Sequence, residues 1–152
     1  MNIEYLTQVR QNPKLKDFVN RGFSLEKIKE IEQVFNKGKE FPKAFREFLF
    51  LAGDFNNFGF DDIDGIIELQ EYVKEDLEKT EQEVNDTFFA FDVLDSMYSV
   101  IMLDETDEDP KVYLLMPFLA KGGKQPLLKP NGWKFTDLVN ESIRRVKNNI
   151  PA

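Results

Sequence analysis

Two stretches of this chain carry oxygen ligands at short spacing. Asp54, Asn56 and Gly59 stand at positions one, three and six of a twelve-residue loop of the type that holds calcium. That chemistry also needs an oxygen at position five and a bidentate Glu at position twelve, where this chain has Phe58 and Gly65. The segment therefore reads as a Gly- and Asn-rich turn. The run Asp104-Glu105-Thr106-Asp107-Glu108-Asp109 has carboxylates but no central glycine, and Leu115 stands at its position twelve. Gly122-Gly123-Lys124 lacks the earlier glycine of a phosphate loop and is followed by Gln125 where a Ser or Thr is required. Paired carboxylates could do acid–base work only if their environments drove their pKa values apart, and these acids fall in loops or on helix faces that water reaches. With no His and no Cys, the usual neutral-pH base, thiol chemistry and the commonest transition-metal ligands are all missing. No catalytic residue, metal or cofactor is expected.

The acids matter more for their distribution. Between Leu51 and Pro110 there are nineteen Asp and Glu but only Lys74 and Lys79, a local charge of −17 within a chain whose net charge is −8. The flanking segments are positive. Charge of one sign gathered in one stretch makes a directional field, which attracts basic partners and speeds their encounter. No nucleic-acid partner is expected, because phosphates call for a basic face that this acidic centre would oppose. Candidate contacts are Asp61, Asp62 and Asp64 in one turn, and Asp104, Glu105, Asp107, Glu108 and Asp109 in another. Phe58 lies just before the first of these turns, in the Gly- and Asn-rich segment, and it has two readings: core packing beneath the loop, or an exposed aromatic anchor in an acidic rim.

These residues must be held by a fold. At 152 residues, 41% hydrophobic and with fifteen Phe, the chain has enough apolar surface for a core. Its apolar runs fall far short of the ~20 residues needed to cross a bilayer, and no targeting segment is visible. The expectation is a cytoplasmic protein without membrane association; nothing specifies an oligomeric state. Ile3, Leu6 and Val9 predict a short helix before Pro13. Ser24 caps a predicted helix bearing Leu25, Ile28, Ile31 and Phe35, and Pro42 opens another bearing Phe45, Phe48, Leu49 and Ala52. A third helix begins near Ile66, with Leu69, Tyr72, Val73 and Leu77 inward.

The period then changes to two. Strands are predicted over Thr87 to Leu94 and Met97 to Leu103, joined tightly at Asp95-Ser96, and over Lys111 to Met116. Ala120 to Gly132 reads as a loop with a short strand at Leu127-Leu128. A last helix runs from about Thr136, its predicted cap, to Asn148. Helices first, an antiparallel meander next and a closing helix describe an α+β fold, a β-sheet meander flanked by helices, in a single domain over 1–152 with its core at about 23–146.

Three pieces in order carry a family resemblance: Phe41-Pro42-Lys43-Ala44-Phe45-Arg46-Glu47-Phe48-Leu49 followed by Ala52-Gly53; the strands Phe88 to Leu103 ending in Leu103-Asp104; and Val112-Tyr113 leading to Trp133-Lys134-Phe135-Thr136-Asp137-Leu138. In this order they resemble the SUKH superfamily, which includes fungal cell-wall regulators and bacterial immunity proteins. Phe41 departs from the aliphatic residue usual before the proline, and Ala52-Gly53-Asp54 stands where a Gly-Gly-like pair is common. The resemblance implies an α+β fold without catalytic residues and, in the bacterial branch, neutralisation of a cognate polymorphic toxin by binding it. Many such toxins are basic nucleases, and the acidic segment suits one. Two other readings remain: a regulatory interaction scaffold of cell-wall or signalling type, and a carboxylate-based metal-binding protein.

Overall fold

A computed structural model describes residues 1–151. In chain order it has α1 (Thr7–Gln11), β1 (Lys14–Leu15), β2 (Phe18–Val19), α2 (Leu25–Phe35), α3 (Lys43–Ala52), α4 (Ile66–Lys79), β3 (Phe88–Leu94), β4 (Met97–Met102), β5 (Lys111–Leu115), α5 (Pro117–Lys121), β6 (Leu128–Lys134) and α6 (Phe135–Lys147). The fold is α+β, and its main sheet is a four-stranded meander in sequence order, β3-β4-β5-β6, with β1 and β2 forming a separate small sheet. None of its helices is long and apolar enough to cross a membrane.

The described chain forms two compact units. The first contains residues 1–60, 106–110 and those from Lys134 onward; the second contains 61–105 and 111–133.

In the first unit, helix starts follow local chemistry. The Ser24 hydroxyl accepts the Lys27 N–H at 3.1 Å, which satisfies one of the free donors at the start of α2. Spacing of three and four residues then buries Ile28 and Ile31 on α2, and Phe45, Phe48, Leu49 and Ala52 on α3. Phe135, at the start of α6, meets Phe45 and Phe48 edge-on, with ring centroids 5.2 and 5.6 Å apart. Two carboxylates are also buried in this unit. Glu47 is fully buried and accepts the backbone N–H groups of Glu4, Tyr5 and Leu6, with Lys43 Nζ at 3.3 Å. Glu32 accepts the Phe41 N–H and pairs with Arg46 at 2.8 Å. Both are satisfied, as burial of a charge demands.

In the second unit, α4 lies on the sheet. Leu69 and Val73 pack with Ala90, Tyr98, Val100, Met102 and Leu115. Strands β3 and β4 pair antiparallel from Phe88↔Met102 to Leu94↔Met97, and the register slips at Phe91, a bulge between Ala90 and Asp92. Asp95 and Ser96 both take positive φ (51° and 60°), the two-residue hairpin turn whose twist matches that of the strands. Strand β3 is an edge, and its free backbone is covered. The Gln70 amide both donates to the Ala90 carbonyl (2.8 Å) and accepts its N–H (2.9 Å), while the Val93 N–H reaches the Asp61 carbonyl at 3.0 Å.

The structure corrects two sequence expectations and adds a hairpin for which there was none. The stretch predicted as a loop from Ala120 to Gly132 contains the end of α5 and most of β6, a strand whose side chains are largely exposed and therefore lack an alternating pattern. The hairpin of β1 and β2 has no apolar alternation either. Thr136 does not cap α6 from its own chain position. Asp109, twenty-seven residues earlier, accepts both the Thr136 N–H (3.0 Å) and its hydroxyl (2.9 Å).

Candidate functional site

A concavity of the second unit lies between α4 and the β3–β4 turn, with a volume of about 590 Å³. Helical spacing places Tyr72, Glu75, Asp76 and Lys79 on one wall. The hairpin supplies Leu94, Asp95 and Tyr98 opposite, and the turn before α4 contributes Asp61 and Ile63. Four carboxylates therefore line the cleft against one lysine.

Tyr98 is buried, and its hydroxyl donates to Asp76 at 2.6 Å. Burial first, and then this bond, hold the phenol far above its usual range. Tyr72 donates its hydroxyl to Asp64, and that bond together with the Asp64 charge raises its pKa. Glu75 and Asp95 differ: they are exposed and form no ion pair or side-chain hydrogen bond among the described residues. Ile63 and Leu94 are more than half exposed and form an aliphatic rim to the acidic cleft. Ile63 sits at φ 65°, an uncommon backbone state for a β-branched residue, and its N–H donates to Asp61 at 2.8 Å.

Asp92 holds this rim in place. Its carboxylate accepts the Asp61 N–H at 2.7 Å from within the β3 bulge. Burial pushes its pKa up to about 6; the N–H groups of Asp61 and Val93 oppose the shift, while the charges of Asp61 and Asp62 add to it.

The acids singled out from the sequence divide into separate places. Asp61 lines the cleft, Asp64 is tied to Tyr72 beside it, and Asp62 is half-buried with its carbonyl accepting the Gly65 N–H. Asp104 accepts the Thr87 N–H at 2.9 Å, and Glu105 accepts the Tyr113 hydroxyl at 3.0 Å. Thr87 precedes β3, whereas Asp95 follows it, so these two acids stand at the far end of a seven-residue strand, about 20 Å from the cleft. The remaining three belong to the first unit: Asp107 pairs with Lys134 at 3.2 Å, Glu108 accepts the Tyr5 hydroxyl at 3.0 Å, and Asp109 holds Thr136. Much of the acidic loop is thus engaged in joining strands and helices.

Phe58 is corrected. It is 2% exposed and meets Phe60 and Phe48 with centroids 5.1 and 6.1 Å away, so the ring is core and not a surface anchor. The apolar rim of the cleft comes instead from Ile63 and Leu94.

Sequence reasoning missed Glu75, Asp76, Asp92, Asp95, Tyr72 and Tyr98 as a group, because nothing local says that α4 and the hairpin turn face one another. One signal was present. Asp92 interrupts the apolar strand Phe88–Leu94, and a carboxylate within such a run has to be met by donors from elsewhere. Among the described residues, no three Asp or Glu side chains converge closely enough to hold a metal ion. No protein-family model matches the chain, and no match is found among curated proteins.

Proposed function

We propose that this protein is a non-enzymatic immunity protein of the cytoplasm, which binds a basic toxin domain, a nuclease, and blocks it. The observation that carries the reading is the charge distribution: nineteen acids against two lysines between Leu51 and Pro110. A surface of that sign competes for the ground that nucleic acid takes on a nuclease and favours fast capture of a basic partner. The resemblance to the SUKH superfamily supplies the biological setting.

The experiment is affinity capture from the native strain with the full chain as bait, followed by a nuclease assay of the captured protein. The reading expects a basic protein whose nucleic-acid cleavage stops when the chain is added in equimolar amount. Binding should weaken steeply with salt. Capture of a signalling or cell-wall protein with no toxic activity would instead favour a regulatory scaffold.

A further inference from the structure

We propose that the cleft between α4 and the β3–β4 turn is a receptor for an arginine side chain projecting from a basic protein partner. The inference rests on the binding reading above and gives it a place and a ligand chemistry.

Four observations support this occupant. The cleft is an open concavity of about 590 Å³, lined by α4 on one side and the hairpin on the other. It therefore has room for one long side chain with parts of its neighbours. Its charge is one-sided, with Asp61, Glu75, Asp76 and Asp95 against Lys79. Two of those carboxylates, Glu75 on the helix and Asp95 on the hairpin turn, have no ion pair or side-chain hydrogen bond within the described protein. They leave acceptors on two different walls, which a planar guanidinium with five donors can meet and a point-like ammonium meets less well.

The rim is the third observation. Ile63 and Leu94, 52% and 59% exposed, sit at the mouth of an otherwise polar site. A purely ionic ligand has no use for them, whereas an arginine carries a three-carbon stem that lies on apolar surface while its head reaches carboxylates. Last, the aromatic ring of Tyr72 stands on the helix wall, and a guanidinium packs on such a ring better than an ammonium does. A divalent cation fits poorly with this lining, since the acids do not converge into a ligand set.

The test uses the full-length chain labelled with nitrogen-15 and three probes: Nα-acetyl-arginine amide, its neutral citrulline counterpart and Nα-acetyl-lysine amide. Arginine amide should shift the backbone signals of Ile63, Glu75 and Asp95 together along one weak binding curve. Citrulline amide should leave them in place, and lysine amide should bind more weakly than arginine. Glu75→Gln combined with Asp95→Asn, both exposed and so harmless to folding, should weaken arginine binding by about tenfold. Shifts spread evenly over all exposed acids, equal binding of citrulline, an unaffected double variant, or calcium moving the same signals at lower concentration would each overturn the proposal.

The same double variant separates this inference from the reading beneath it. If a basic toxin is captured and inhibited as well by the double variant as by the parent, the cleft assignment falls and the immunity reading stands. If no toxin is captured while arginine still fills the cleft, the immunity reading falls and the cleft remains an arginine receptor.

Discussion

The Asp92 carboxylate accepts the backbone N–H of Asp61 at 2.7 Å, so a half-buried side chain in a strand bulge carries the turn that forms one lip of the cleft. A carboxylate in such a place is poorly solvated, and its pKa rises to about 6. Folding thus raises this pKa, and the folded chain keeps a proton that the unfolded chain releases between about pH 4 and pH 6. Stability contributed here is present below that window and is lost as pH rises through it. Asp92→Asn keeps the oxygen that receives the Asp61 N–H and removes the charge. Relative to the parent, the variant should gain up to about 3 kcal/mol between pH 4 and pH 7, read by denaturant unfolding at several pH values. A difference that stays flat across that range would refute the account of a poorly solvated carboxylate.

Glu47 is the most demanding acid in the molecule. It is fully buried and receives three backbone N–H groups, besides the Lys43 ammonium. Glu47→Ala leaves three backbone donors and a cation without the buried acceptor they share, and should cost about 3–5 kcal/mol. Glu78→Ala, on an exposed face of α4, should change stability by less than about 0.5 kcal/mol. Unfolding curves of the two variants give the comparison directly.

Asp109 illustrates an acid that serves structure. Its side chain accepts two hydrogen bonds from Thr136 at the start of α6. Asp109→Ala should destabilise the protein by about 1 kcal/mol, the usual cost of losing a cap. Amide exchange in the first turn of α6 should quicken more than elsewhere. Unchanged exchange there would show that the bond carries no load.

Binding of a basic partner should fall with ionic strength, because the attraction acts across solvent. Reversing Asp107 and Glu108 to Lys should lower the association rate several-fold and flatten its salt dependence. Because Asp107 pairs with Lys134 and Glu108 with Tyr5, stability has to be measured on the same variants. Association kinetics at three salt concentrations decide the matter, and a rate indifferent to salt would remove electrostatic capture.

The cleft was not legible in the sequence, although most of the chain's helices and strands were. Ser24 marked α2, Pro42 stood at the N-cap of α3, and the tight turn fell at Asp95-Ser96. Each of those signals acts within a few residues: a side-chain oxygen meets its own helix, a fixed φ opens a turn, and apolar spacing chooses a face. Strand β6 escaped because an exposed strand has no buried face to impose a period of two.

Local chemistry in the chain thus determined the helices, the hairpin, the α+β class and the −17 concentration of charge. Tertiary structure decided what those charges do. It placed Asp61 beside Asp92 and Tyr98 against Asp76, thirty-one and twenty-two residues apart. It spent Asp104, Glu105 and Asp109 on internal bonds, and it buried Phe58. The reason is that a carboxylate's role depends on which donors the fold brings within about 3 Å of it, and one-dimensional spacing carries no such distance.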